Sequence, residues 1–176
     1  MKLFMFYVGG DCGNSNIELH DVRFSMGEKI EDCYEDLRRQ WWGTPKSLHI
    51  DTWTAVEQAD GFDVVLSREP FTGPQKLFFL NLGGYLATEL EELHKNVLLV
   101  EETPHKAIMK ALKTLREWRI PHKDNVFEVE KVISVTEMLQ KEGYSLHLVP
   151  ATEAKPLVYT SKYIRINVEA LEGVTP

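Results

Sequence analysis

The sequence has few of the features that identify secreted, membrane-bound or nucleic-acid-binding proteins. Its 176 residues include only two cysteines, too few for the disulfide framework of a small secreted protein. No apolar run approaches the ~20 residues of a membrane-spanning helix. Acidic residues outnumber basic ones by 27 to 20, and the net charge of -7 disfavours binding to a polyanion. We therefore predict a cytoplasmic globular protein that binds neither nucleic acid nor membrane.

Motifs of high specificity are also missing. The glycine-rich stretch from Gly9 to Ser15 matches neither the phosphate-binding P-loop nor the dinucleotide-binding pattern, and it leads into a predicted strand where those motifs lead into a helix. The sequence therefore predicts no cofactor, and it leaves open whether the protein is an enzyme.

What the sequence does contain is an internal repeat. The stretch 2–10 returns at 76–84 with five of nine residues identical, and each copy ends in Gly-Gly. A second strand, an amphipathic helix and two more strands follow each copy. The pattern predicts an α+β fold of two tandem ββαββ repeats, with mainly antiparallel sheet and one main helix per repeat. We place the repeats at residues 1–70 and 75–150, and a tail with one strand at 151–176.

The two predicted main helices carry opposite charges. The first, residues 28–42, is acidic, and the second, which begins at Thr103, is rich in lysine and arginine. The adjacent Trp41 and Trp42 cannot both lie on the apolar stripe of the first helix, so one of them is either exposed at an interface or caps the helix end. We predict a homodimer in which the helices of opposite charge face each other. The alternative is that both charged faces are simply solvated.

Four histidines each lie two residues from a carboxylate. The pairs are Glu18-x-His20, His49-x-Asp51, Glu92-x-His94 and His122-x-Asp124. Residues i and i+2 of a strand point to one face, so each pair would present an imidazole beside a carboxylate, an arrangement that suits metal ligation or acid–base chemistry. The alternative is that these are polar positions on half-exposed strands. The prediction is therefore no metal, with His20, His49 and Asp51 as the candidate ligands.

Only the first repeat has a polar, glycine-rich loop between its first two strands. Its backbone N–H groups are suited to an anion, and the alternative is a plain turn. The candidate ligand-binding residues are Gly9, Gly10, Gly13, Asn14 and Asn16. The candidate catalytic residues are Asp11, Cys12, Glu18 and His20. Because the second copy has Tyr85-Leu86-Ala87 at this place, any site should lie in the first repeat.

The sequence resembles a bacterial family catalogued as domain of unknown function 1543. The resemblance rests on the Lys2-Leu3-Phe4 opening with its Gly-Gly end, on the strand 16–24, and on the His49-x-Asp51 step. It extends over residues 1 to about 70. The resemblance implies a fold and a duplicated domain, and it implies no activity.

Two functions of different classes remain. The first is a non-enzymatic module that binds an unknown small molecule or protein, which the duplication and the missing catalytic motifs favour. The second is a small hydrolase or metal-dependent enzyme that uses the repeated His-carboxylate pairs. The arrangement of Glu18, His20, His49 and Asp51 distinguishes them, because convergence in one cleft favours chemistry and scattering favours binding.

Overall fold

The computed structural model describes residues 1–85, 88–115 and 128–166. Over these residues the protein is α+β, and its paired strands are antiparallel, as predicted. Within the same ranges, no helix has the length and apolar character needed to cross a membrane.

The strands are β1 (Lys2–Gly10), β2 (Leu19–Gly27), β3 (His49–Ala55), β4 (Gln58–Ala59), β5 (Phe62–Ser67), β6 (Lys76–Gly84), β7 (Leu93–Glu101), β8 (Glu128–Ser134), β9 (Ser145–Pro150) and β10 (Thr160–Arg165). The α-helices are α1 (Tyr34–Gln40), α2 (Pro104–Leu115) and α3 (Val135–Lys141). Short 3-10 helices span Ile30–Cys33 and Pro45–Ser47.

The chain divides into two compact units, which do not coincide with the ranges 1–70 and 75–150. Unit 1 contains Met1–Glu57 and the described part of Lys155–Pro176, and unit 2 contains Gln58–Ala154. Strand pairing explains the difference. β5 pairs with β9 of unit 2, and β10, from the predicted tail, pairs with β3 of unit 1.

Unit 1 is a four-stranded sheet of order β10-β3-β1-β2 with α1 on one face. The apolar strand β1 is central, as its composition predicts. Its side chains alternate between the two faces, so Phe4, Phe6 and Val8 enter the core against Cys33 and Leu37. The residues between them, which include Tyr7 and Gly9, face the opposite side of the sheet.

Unit 2 contains two three-stranded sheets, of order β7-β6-β8 and β4-β5-β9. Phe78, Leu80 and Leu82 of β6 pack against Ala107 and Ala111 of α2. The pairing of β6 resembles that of β1. Gly83 pairs with His94 of β7, as Gly9 pairs with His20 of β2.

The predicted first helix, residues 28–42, is formed by the 3-10 helix Ile30–Cys33 running into α1. Asp32 Oδ2 accepts hydrogen bonds from the backbone N–H groups of Glu28 and Lys29 at 3.0 and 3.1 Å, which satisfies donors at the helix start. Cys33 and Leu37 are buried along its inner face. The amphipathic pattern was therefore a reliable guide to this element.

Candidate metal site

Strand register brings two histidines to the same place in unit 1. Gly9 lies near the end of the central strand, and its partners are His20 on β2 and His49 on β3. Residues paired across antiparallel strands point to the same face of the sheet. Both imidazoles therefore lie on the side away from the core, one on each side of Gly9.

The missing side chain of Gly9 leaves the space that the two imidazoles share. A Cβ at this position would lie 2.7 Å from His49 Nε2, 2.8 Å from His20 Cδ2 and 2.9 Å from His20 Nε2. The backbone of Gly9 is not in the left-handed region. Glycine is needed here for the close approach of two side chains, and not for a turn.

A β-bulge directs Asp51 to the same site. Tyr7 pairs with Thr52 while Val8 pairs with Ile50, so Asp51 is the extra residue of the bulge. Bulges bend a strand and redirect side chains. Asp51 Oδ2 lies 3.3 Å from His20 Nε2, and Asp51 Oδ1 lies 3.5 Å from His49 Nε2.

Glu18 approaches the same two nitrogens. Its Oε1 lies 3.1 Å from His49 Nε2 and its Oε2 lies 3.8 Å from His20 Nε2. Glu18, His20 and His49 each offer one ligand atom, and these atoms lie within 4.8 Å of one another. The four side chains Glu18, His20, His49 and Asp51, which we call the Gly9 cluster, therefore converge on one site.

The hydrogen bonding of His49 turns its second ring nitrogen toward the carboxylates. His49 Nδ1 lies 2.9 Å from the carbonyl oxygen of Ser47, which only accepts, so Nδ1 carries a hydrogen and Nε2 is the nitrogen that faces the cluster. His49 is 2% exposed, and its Nε2 and Asp51 Oδ2 are buried without a hydrogen-bond partner among the described residues. His49 Nε2 thus lies 3.1–3.5 Å from carboxylate oxygens of Glu18 and Asp51.

Two tyrosines flank the imidazoles. Tyr7 stacks on His20 with ring centroids 5.1 Å apart and planes 4° from parallel, and Tyr163 of β10 covers His49 at 4.4 Å. Burial, followed by the negative charges of Asp51 and Asp21, raises the pKa of the Tyr7 phenol. Tyr7 therefore stays neutral at physiological pH, and both rings hold the imidazoles in place.

Residues 11–16 of the loop after β1 do not belong to this cluster, whereas Glu18 of the same loop does. Gly9 and Gly10 are paired residues of β1, so the chain reversal begins at Asp11 and not at Gly9 as the sequence suggested. Asp11 accepts a backbone hydrogen bond from Thr44 and donates its own N–H to Ser47 Oγ. Among the described residues, the group of metal-ligand atoms that lie within 4.8 Å of one another around Gly9 includes neither Asp11 nor Cys12.

The remaining predicted loop residues have local roles. Cys12 O accepts a hydrogen bond from the Ser15 backbone N–H at 3.0 Å, which closes a turn with Gly13 at φ 52°. Asn14 and Asn16 are exposed. The structure thus brings Glu18 and His20 to the cluster and leaves Asp11, Cys12, Gly13, Asn14 and Asn16 on the turn.

The two thiols should differ in reactivity. Cys12 is partly exposed, whereas Cys33 is fully buried. Burial, together with the carboxylates of Asp36, Asp32 and Glu31, raises the pKa of the Cys33 thiol to about 11. We expect iodoacetamide at pH 8 to alkylate one thiol of the folded protein and both after denaturation, as counted by mass spectrometry. Modification of Cys33 in the folded protein would contradict its burial.

Unit 2 has a related but chemically different cluster around Gly83. Glu92, His94 and Glu130 offer ligand atoms within 4.8 Å of one another, and Glu130 is the extra residue of a bulge in β8, as Asp51 is in β3. His94 Nδ1 lies 3.3 Å from Glu130 and its Nε2 lies 3.8 Å from Glu92. His94 therefore contacts both carboxylates, one through each ring nitrogen.

Strand register corrects one sequence prediction in this unit. From the repeat in the sequence, His122-x-Asp124 is expected to be the equivalent of His49-x-Asp51. In the structure, however, Gly83 pairs with Glu128, whereas Gly9 pairs with His49. His122 and Asp124 lie outside the described residues. Unit 2 therefore has a glutamate in the register position that a histidine occupies in unit 1.

Sequence reasoning did not find Tyr163, Glu130 or the role of Gly9. Tyr163 comes from β10, which lies 114 residues beyond His49 in the chain, and no local pattern signals that pairing. Glu130 lies in a strand whose register depends on a bulge. The signal for Gly9 was present, because a glycine recurs at the same place in both copies, but it was read as a strand end.

The basic face of α2 is paired within unit 2. Lys106 Nζ lies 2.5 Å from Glu102 Oε2. Lys110 Nζ lies 2.6 Å from Asp60 Oδ2 and 3.3 Å from Glu101 Oε1. These charges are already balanced, which weakens the sequence argument that they meet an acidic partner.

Trp41 and Trp42 differ in exposure, which favours the alternative of one exposed tryptophan. Trp41 is 8% exposed and packs in the core of unit 1. Trp42 is 49% exposed, stacks on Trp41, and donates from Nε1 to Asp21 Oδ2 at 3.3 Å. The homodimer stays a prediction.

Comparison with known proteins finds a family match over part of the chain and assigns no activity. Residues 15–66 match a family model described as Domain of Unknown Function (DUF1543), and this segment contains all four side chains of the Gly9 cluster. The crystal structure of protein Il1583 from Idiomarina loihiensis is similar, with a TM-score of 0.70 and 27% identity, covering 94% of this chain and 97% of that one. No curated protein matches the chain.

Proposed function

We propose that this chain, whose residues 15–66 belong to the domain of unknown function 1543 family, is a binding module whose ligand is one zinc-like divalent metal ion, held over Gly9 by Glu18, His20 and His49. The observation that carries the proposal is the convergence of ligand atoms of Glu18, His20 and His49 within 4.8 Å of one another, with the buried Nε2 of His49 making no hydrogen bond among the described residues. A metal cation is a partner that imidazole nitrogens and carboxylate oxygens can all bind.

The donor set suits zinc. Zn²⁺ binds imidazole nitrogen and carboxylate oxygen at about 2.0–2.2 Å, so two ligand atoms on a tetrahedral ion lie about 3.3–3.5 Å apart. Glu18 Oε1 lies 3.1 Å from His49 Nε2 and Glu18 Oε2 lies 3.8 Å from His20 Nε2, and one ligand atom from each of these three residues lies within 4.8 Å of the others. The hydrogen bond from His49 Nδ1 to the Ser47 carbonyl is the outer contact that fixes the ring of a metal-bound histidine.

Charge supports the same assignment. Glu18 and Asp51 together contribute two negative charges beside two imidazoles, and a divalent ion would balance them. In unit 2, the cluster around Gly83 offers one imidazole beside two carboxylates. Its oxygen-rich donors are also less suited to zinc than a pair of imidazoles. The proposal is therefore confined to unit 1.

We expect the purified protein, stripped with a chelator, to bind one equivalent of Zn²⁺ in isothermal titration calorimetry. His20→Ala and Glu18→Ala should each weaken binding by more than about 100-fold, because removing a ligand costs more than removing an outer-shell contact. The matched variants His94→Ala and Glu92→Ala should leave affinity and stoichiometry unchanged. Equal losses from both sets of variants, or no binding by the wild type, would refute the proposal.

A further inference from the structure

We infer that Asp51 is not a ligand of the ion and that its Oδ2 borders a fourth, open coordination position. This position accepts a small oxygen-donor ligand such as a hydroxamate. The inference rests on the proposed function, because it describes the same site. It assigns the site to the exchangeable class, in which three protein ligands leave one position for another molecule.

Ligand spacing separates Asp51 from the other three residues. Glu18, His20 and His49 have ligand atoms that all lie within 4.8 Å of one another, and this set does not extend to Asp51 among the described residues. Asp51 instead places one oxygen beside each imidazole, at 3.3 and 3.5 Å. It lies beside the ligands without sharing their common centre.

Asp51 Oδ2 accepts no hydrogen bond from the described residues, although His20 Nε2 lies 3.3 Å from it. Oδ2 is buried and has no hydrogen-bond partner among the described residues, and a buried carboxylate oxygen without a donor is costly. A water molecule or an N–H or O–H group held at the fourth position would supply that hydrogen. The bulge in β3 holds Asp51 where it can receive it.

Unit 2 shows what a longer side chain does at this position. Glu130 occupies the same place in the bulge of β8 as Asp51 does in β3. Its carboxylate is one of the three groups around Gly83 whose ligand atoms lie within 4.8 Å of one another. The additional methylene of glutamate brings the carboxylate into this group. A glutamate at position 51 should therefore reach the ion and close the open position.

The test uses the full-length protein loaded with Co²⁺, whose visible absorption reports the ligands of the ion, and acetohydroxamate as the probe. The wild-type spectrum should change on titration with acetohydroxamate. The spectrum of Asp51→Glu should not change, although this variant should bind cobalt at least as tightly. Asp51→Ala should keep the open position and bind acetohydroxamate about tenfold more weakly, since one hydrogen bond to a charged group is lost.

The outcomes separate this inference from the proposed function. A wild-type protein that takes up no cobalt overturns both. Cobalt uptake without any response to acetohydroxamate overturns the open position alone, as does a response of Asp51→Glu equal to that of the wild type. Loss of cobalt binding in Asp51→Ala as complete as that in Glu18→Ala would make Asp51 a fourth ligand.

Discussion

Replacing Gly9 with alanine should abolish zinc binding while leaving the protein folded. The new Cβ would lie 2.7 Å from His49 Nε2 and 2.8 Å from His20 Cδ2, so both imidazoles would have to move apart. Gly9 has an ordinary strand backbone, and alanine fits that conformation. Because two ligands are displaced, affinity should fall by more than about 100-fold in calorimetric titration.

Gly83→Ala provides the matched control. It adds the same methyl group at the equivalent position of β6, where the nearest atoms belong to the carboxylates of Glu130 and Glu92. This variant should bind zinc as the wild type does, and circular dichroism should show both variants folded. Zinc affinity of Gly9→Ala within about threefold of wild type would show that the ion is not held over Gly9.

The sequence predicted the elements of the fold better than their pairing. Apolar runs that end in Gly-Gly placed β1 and β6, and period-3.6 patterns placed α1 and α2, because each signal depends only on neighbouring residues. The pairing of β5 with β9 and of β10 with β3 joins distant parts of the chain. No local pattern carries that information, so the unit boundaries differ from the ranges 1–70 and 75–150.

For the site too, the sequence predicted local neighbours better than long-range contacts. The i, i+2 spacing placed Glu18 beside His20 and His49 beside Asp51, and the structure has both neighbours. Their convergence depends on register, because His20 and His49 meet only through their common partner Gly9. The sequence left open whether these four residues share one cleft, because only the pairing of the strands determines it.

The two faces of β1 explain why one strand serves both stability and the site. Tyr7 and Gly9 face the cluster, and Phe4, Phe6 and Val8 face α1. The position of the imidazoles is therefore fixed by packing on the opposite face. A change in the core can loosen the cluster without touching any of its side chains.

Phe6→Ala should strongly destabilise unit 1. Phe6 is 0% exposed, lies at the centre of β1, and packs against Phe4 with ring centroids 5.9 Å apart. Removing a buried phenylalanine ring loses its burial and leaves a cavity, at a cost of about 3–5 kcal/mol. Hydrogen exchange of the β1 amides should show this loss in the free energy of opening unit 1.

Phe6→Leu tests whether the loss comes from the cavity. Leucine keeps the site apolar and fills most of the volume, so it should cost less than about 1.5 kcal/mol. Because zinc binds only the folded cluster, saturating zinc should recover part of the stability lost in Phe6→Ala by mass action. A loss below about 1 kcal/mol in Phe6→Ala would contradict a tightly packed core beneath the cluster. The double variant Phe6→Ala/Gly9→Ala is the control. If zinc restores as much stability to the double variant as to Phe6→Ala alone, the ion is not held over Gly9.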